Sequence, residues 1–147
     1  MGLDMMIYKD SAGVKDMQSF DAVYEDLPEY AYWRKASMIH RFFATHGKYL
    51  EQNDWEQTAL YRIKREDLIY LLKICTYFVS NTNLVKKEAK DILPYQSDFF
   101  SGSADYDDDY IYKLYVTIEN IGKILRISAG KYSEKENEQT FLYYTSW

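Results

Sequence analysis

The stretch Thr58–Val79, TALYRIKREDLIYLLKICTYFV, decides the fold class. Residues 58–63 alternate well enough for a short strand, and a helical pattern follows at once. Glu66 and Asp67 open that pattern, where acidic side chains favour the helix dipole. One face of the predicted helix carries Leu68, Leu71, Leu72, Cys75 and Val79. The stretch therefore predicts a strand joined directly to a long amphipathic helix that ends near Ser80–Asn81.

Two further strands and two further long helices are predicted outward from this stretch. The strands are Leu3–Lys9 and Thr140–Thr145, near the two ends of the chain. One helix runs from Glu29 to Gly47, and the other runs from Tyr106 to about Ser128, with Asp105 as its N-cap. Polar segments at 47–57 and 91–105 read as loops. We expect an α+β fold in which three long helices pack on one face of a small, mostly antiparallel, three-stranded sheet.

Length and composition indicate a single domain spanning residues 1–147. A chain of 147 residues with 47% hydrophobic residues can form one core and is too short for two ordinary domains. No apolar run approaches the roughly 20 residues that a membrane span needs, and Asp4 interrupts the only apolar stretch at the N-terminus. Cys75, the single cysteine, is expected to be a small buried apolar residue. These features predict a cytoplasmic protein without a membrane anchor or a disulfide.

The charge and the motifs argue against two broad functional classes. A net charge of −5 disfavours general nucleic-acid binding, which needs a basic face. The sequence has no phosphate-binding glycine loop, zinc-protease motif or nucleophile elbow, and His40 and His46 are too far apart for a paired zinc site on a helix. A nucleophilic pair of Cys75 and His40 is disfavoured because an apolar face raises a thiol pKa. We expect no enzyme and no cofactor.

The acidic run Asp105–Asp109 resembles the start of a calcium loop but departs from its pattern. The position that needs glycine is Tyr110, and the position that needs glutamate is Val116. Acidic side chains at the start of a helix are also favoured by capping and by the helix dipole. We therefore expect a helix N-terminus here and no metal.

A cluster of aromatic, basic and small polar residues predicts a site for a nucleotide-like ligand. Arginine beside tryptophan can stack on a planar ligand or bind an anion, and a serine-rich loop offers hydrogen-bond donors to phosphate. The candidate ligand-binding residues are Trp33, Arg34, His40, Tyr95, Gln96, Ser97, Phe99, Ser103 and Trp147. The alternative interpretation places the large aromatic residues Trp33, Phe99, Phe100 and Trp147 in the core. In that interpretation, Arg34 is a buried ion-pair partner of an aspartate from 105–109.

Several blocks of the sequence together resemble a family of small proteins found in phages and prophages. These blocks are the opening Met1–Met5, the segment Tyr32–Ala36 with Ile39 and His40, the pattern between Leu93 and Tyr110, and the closing Ser146–Trp147. The resemblance spans nearly the whole chain and implies a phage origin in a bacterial host cell. It implies no particular activity, although anti-defence is a common task for such small genes. Asp98 stands where the family usually has glycine, and its charge disfavours an anion beside that loop.

Three functional hypotheses follow. The first is a binding protein that sequesters a small nucleotide-derived host signal. The second is an inhibitor of a host defence or replication protein, acting through an acidic and tyrosine-rich surface that contains Asp107, Asp108, Asp109, Tyr112 and Tyr115. The third is an enzyme that uses His40 with a carboxylate, and no second motif supports it. An exposed edge at the terminal strands, or the aromatic surface, would also suit a homodimer.

Overall fold

The computed structural model describes residues 2–96, 105–129 and 139–147. These ranges contain five strands, five α-helices and two short 3₁₀ turns. In chain order the elements are β1 (Asp4–Lys9), α1 (Met17–Asp21), β2 (Glu29–Arg34), α2 (Ser37–His46), β3 (Lys48–Asn53), β4 (Thr58–Lys64), α3 (Arg65–Ser80), α4 (Val85–Ile92), α5 (Asp108–Ser128) and β5 (Thr140–Ser146), with the 3₁₀ turns at Tyr24–Asp26 and Thr82–Leu84. The fold is therefore α+β.

The strands form one antiparallel sheet in the order β2-β1-β5-β4-β3. One row of paired residues crosses the whole sheet near one end. In this row Arg34 pairs with Asp4, Asp4 with Ser146, Ser146 with Thr58, and Thr58 with Asn53. The two terminal strands, β1 and β5, pair with each other in the interior of the sheet, so they offer no free edge for a homodimer.

The three-stranded sheet predicted from the sequence was wrong, because two more strands flank its centre. The first residues of the predicted helix at Glu29 form β2 instead, in which Ala31 and Trp33 point inward. Lys35 then adopts a left-handed backbone conformation with φ of 56°, and α2 begins only at Ser37. Likewise, part of the predicted loop at 47–57 is the edge strand β3.

Helices cover both faces of the sheet, whereas the sequence predicted one covered face. The larger core lies under α2, α3 and α5. On the opposite face, Met17 and Phe20 of α1 pack against side chains from three strands, namely Tyr8, Leu60 and Leu142. The alternation of the three central strands, β1, β5 and β4, supplies apolar side chains to both layers, so one covered face would have left the second set exposed.

The start of α5 also differs from the prediction. The N-cap is Asp107, and its carboxylate accepts a hydrogen bond from the backbone N–H of Asp109 at 3.1 Å. Asp105, the expected cap, lies outside the helix. The acidic side chains Asp108 and Asp109 occupy the first turn, as the dipole favours.

Of the helices in the described residues, none is by itself long and apolar enough to cross a bilayer. The pair formed by Arg65–Ser80 and Thr82–Ile92 reaches that length and composition only together, with a bend of 100° between its members.

Candidate functional site

A groove of about 480 Å³ lies between the end of β2 and the first turns of α5. We call it the β2–α5 groove. Its lining consists of Tyr32, Trp33, Arg34, Lys35, Ala36, Asp109, Tyr112, Lys113 and Val116. The volume falls within the range of small-molecule sites. The groove thus brings part of the predicted ligand site together with part of the predicted protein-binding surface.

The turn between β2 and α2 places two neighbouring cations at this groove. The backbone N–H of Lys35 donates to the Leu3 carbonyl oxygen at 2.7 Å, which holds the left-handed turn in place. Gly2 lies against the same side chains. A Cβ atom at Gly2 would lie 3.2 Å from Lys35 Cε and 3.4 Å from Arg34 Nε, so glycine leaves room for both side chains.

A hydrogen-bonded chain of buried residues lies beneath the groove. The indole Nε1 of Trp33 donates to Thr117 Oγ1 at 3.0 Å, and the Thr117 hydroxyl donates to the Lys113 carbonyl oxygen at 2.7 Å. Trp33 is only 1% exposed, and Thr117 is fully buried. These two hydrogen bonds, both made by buried groups, therefore connect α5 to β2 beneath the groove.

The groove is cationic although the chain is acidic. It contains Arg34, Lys35 and Lys113 against a single carboxylate, Asp109, in a protein of net charge −5. Lys113 Nζ lies 2.8 Å from Asp109 Oδ2. Within the part of the chain that the structure describes, neither Arg34 nor Lys35 has a carboxylate within 4.0 Å. Two adjacent positive charges without a direct ion pair therefore lie at the groove.

Exposed tyrosines provide the aromatic walls. Tyr112 is 65% exposed and Tyr32 is 46% exposed. The Tyr32 hydroxyl donates to the Asp4 carboxylate, and this hydrogen bond is the main cause that raises the pKa of Tyr32. The phenol therefore stays neutral at pH 7, and its ring can stack on a planar group.

Two of the predicted ligand residues line the groove in different ways. Arg34 is exposed, so it is not the buried ion-pair partner that the alternative interpretation proposed. Trp33 is a core residue that reaches the groove only from its floor, as that same alternative expected for the aromatic residue.

The structure places His40 in the core, away from the groove lining. It is 6% exposed, and its Nδ1 lies 2.8 Å from the Tyr143 hydroxyl. Desolvation lowers the pKa of His40 to about 4, because burial disfavours the charged imidazolium. The imidazole is therefore neutral at pH 7 and cannot supply a positive charge to an anion.

The other predicted ligand residues are dispersed or lie outside the described residues. Tyr95 packs against Tyr106 and Tyr110, and Gln96 donates its backbone N–H to Ser37 Oγ at 3.3 Å. Trp147 donates its backbone N–H to the Gln57 carbonyl oxygen at 3.0 Å and is half-buried against the core. Ser97, Phe99 and Ser103 lie outside the described residues, so their relation to the groove stays a prediction. Phe100, which the alternative interpretation placed in the core, lies outside them as well.

The predicted acidic and tyrosine-rich surface divides into structural and exposed members. Asp107 caps α5, and Asp109 pairs with Lys113 although its own side chain is 49% exposed. Asp108, Tyr112 and Tyr115 are exposed on one stripe of the helix. Sequence reasoning missed Lys113. Its signal was present, because this lysine lies on the inward face beside Leu114 and four residues after an aspartate.

The described residues contain no group of three or more histidine, cysteine, aspartate or glutamate side chains that could hold a metal ion. Cys75 is buried in α3, and desolvation raises the pKa of its thiol to about 12. The thiol is therefore protonated at pH 7 and inaccessible, which disfavours a nucleophilic role.

Comparison with protein-family models, with curated proteins and with solved structures gives no match. The groove and its chemistry are therefore the basis for a functional assignment.

Proposed function

We propose that this chain is a phage-encoded anti-defence protein that binds, and thereby sequesters, a small nucleotide-like anion in the β2–α5 groove. The observation that carries the proposal is the pair Arg34 and Lys35 at a groove with exposed tyrosine walls. Within the described residues, no carboxylate lies within 4.0 Å of either cation.

The two chemical halves of a nucleotide suit two parts of the groove. A phosphate can accept charge-assisted hydrogen bonds from Arg34 and from the Lys35 ammonium. The N-terminus of α2 begins two residues later, at Ser37, and its dipole adds to the positive potential. A base or another planar group can stack on Tyr32 or Tyr112. A small ligand fits better than a nucleic acid, since three cations do not make an extended basic face.

Arg34→Ala is expected to weaken ligand binding about 10- to 100-fold, because a hydrogen bond to a charged group contributes about 1.5–3 kcal/mol. Native mass spectrometry of the protein from a bacterial host would identify a co-purified ligand. Isothermal titration calorimetry with that compound, or with a panel of mononucleotides and cyclic dinucleotides, would then measure the loss.

Lys73→Ala is the matched control, because Lys73 is an exposed cation on α3 outside the groove. It removes the same charge and should leave the affinity unchanged. Equal affinities for Arg34→Ala, Lys73→Ala and the wild type would contradict the proposal, as would the absence of binding to every compound of the panel.

A second candidate function is inhibition of a host protein, and one observation favours it. Asp108, Tyr112, Tyr115 and Glu119 form a continuous exposed stripe along α5. Tyr115 is 51% exposed. Tyrosine-rich patches of this kind are common where one protein binds another.

Tyr115→Ala separates the two functions, because Tyr115 lies on the stripe and outside the groove lining. If the stripe binds a host protein, this variant should weaken capture of that protein roughly 30-fold, as expected for a central aromatic contact. Arg34→Ala should capture it normally. Pull-downs with both variants, quantified by surface plasmon resonance, would measure this. Retention of the partner by Tyr115→Ala would exclude the stripe as its binding surface.

A further inference from the structure

Trp55 is 95% exposed, the largest exposure of any large apolar residue in the described part of the chain. It lies in the turn between β3 and β4, and exposed acidic residues, Asp54 and Glu56, flank it. Tryptophan is the residue type most enriched among the energetic centres of protein interfaces. Leaving its full apolar surface in water is unfavourable, and an exposed residue of this kind is typical of a surface that binds another protein.

Hydrogen bonds hold the turn in a defined shape. The backbone N–H of Glu56 donates to Asn53 Oδ1 at 3.0 Å, and the Gln57 carbonyl oxygen accepts from the backbone N–H of Trp147 at 3.0 Å. Gln57 itself has φ of 57°. A side chain presented on a preorganised turn loses less conformational entropy on binding.

The turn and the β2–α5 groove lie at the same end of the sheet, on opposite edges. The paired row from Arg34 to Asn53 crosses four strand spacings, which is about 19 Å at ~4.8 Å per spacing. Lys35 follows this row at one edge, and Asp54 follows it at the other. Both features therefore project beyond the same row of residues.

We propose that the Trp55 turn of one copy docks into the β2–α5 groove of a second copy, and that the contact is reciprocal. A twofold axis normal to the sheet, placed at this end, sets each turn opposite the partner's groove. Such an interface is closed and uses the same surface of both copies. The proposal rests on the cationic groove of the proposed function and does not require the ligand to be a nucleotide.

Charge complementarity identifies a second copy as the occupant. Asp54 and Glu56 carry two negative charges to a groove in which neither Arg34 nor Lys35 has a carboxylate within 4.0 Å among the described residues. The Trp55 indole can stack on Arg34 or pack against Tyr32 or Tyr112. Because the turn occupies the groove, dimerisation and ligand binding compete, and a saturating ligand should release monomers.

A charge-exchange experiment tests this contact. Variant one carries Asp54→Lys and Glu56→Lys, and variant two carries Arg34→Glu and Lys35→Glu. In a dimer of either variant, like charges would face each other at both contacts, so each variant alone should be a monomer of 17.5 kDa. The wild-type dimer should have twice that mass. When the two variants are mixed, every turn in a heterodimer meets a groove of opposite charge, so a dimer should form again. Sedimentation velocity across a concentration series measures the masses, and circular dichroism verifies folding.

Three results would overturn the reciprocal contact. The first is a wild type that stays monomeric at the highest concentration. The second is a dimer that persists in Trp55→Ala and in both charge variants. The third is an equimolar mixture of the two charge variants that stays monomeric. Titration of Trp55→Ala with the nucleotide panel keeps the two proposals apart. A monomeric variant that binds no ligand while the mixture dimerises would contradict the proposed function alone. Ligand binding by a wild type that never dimerises would contradict this inference alone.

Discussion

Replacing Trp33 by alanine should lower the free energy of unfolding by about 3–5 kcal/mol, the largest effect that we expect from a single substitution. Trp33 is the largest of the fully buried side chains, with an exposure of 1%. Its removal leaves a cavity between β2 and α5 and also removes the hydrogen bond to Thr117. Urea denaturation, monitored by circular dichroism, would measure the loss. The slope of the unfolding free energy against urea concentration should stay the same as in the wild type.

Two substitutions serve as controls for this prediction. Trp33→Phe keeps most of the volume and removes the indole donor, so it should cost less than Trp33→Ala. Trp55→Ala removes the same side chain from an exposed turn and should change the stability of the monomer by no more than about 0.5 kcal/mol at low protein concentration. A small loss for Trp33→Ala, comparable with that for Trp55→Ala, would contradict the burial of Trp33.

Acidification should destabilise the protein through His40. Its pKa is about 4 in the folded protein, against about 6.5 in an unfolded chain. Above pH 6.5 the imidazole is neutral in both states and has no effect. As the pH falls from 6.5 to 4, the unfolded chain takes up a proton that the folded protein excludes, so stability is lost. The full contribution is about 3 kcal/mol at pH 4 and below.

Comparison with His40→Gln isolates this contribution from those of the carboxylates. The difference in unfolding free energy between wild type and variant should change by about 3 kcal/mol between pH 7 and pH 4, in favour of the variant at low pH. His46→Gln is the matched control, because the same substitution at an exposed position leaves the buried imidazole in place. Stability curves for wild type and His40→Gln that stay parallel over this pH range would contradict a buried neutral imidazole.

The residues at the groove divide into a buried pair that stabilises the fold and a surface pair that is proposed to bind the ligand. Trp33 and Thr117 support its floor from the core, whereas Arg34 and Lys35 lie at the surface. Substitutions at the surface cations should therefore affect binding with little change in stability, and Trp33→Ala should reduce both. This separation distinguishes a binding role for Arg34 from a structural one.

The sequence alone determined the elements whose periodicity was unambiguous. The apolar stripe of α3 predicted a helix up to Ser80, and the alternation in β1, β4 and β5 predicted the three central strands. Burial of Cys75 followed from its place on that stripe. These features depend on local pattern and on burial of one apolar face, so a single sequence contains enough information to predict them.

Tertiary structure decided β2, β3 and the groove. Glu29–Arg34 fits a helical stripe with the residues that follow it, and only pairing with β1 makes it a strand. The groove needs Lys35 and Lys113, which are 78 positions apart in the sequence (113 − 35) and are brought together where α5 packs along β2. Local spacing predicts which residues share a face, whereas contacts between distant segments are set by the packing of whole elements.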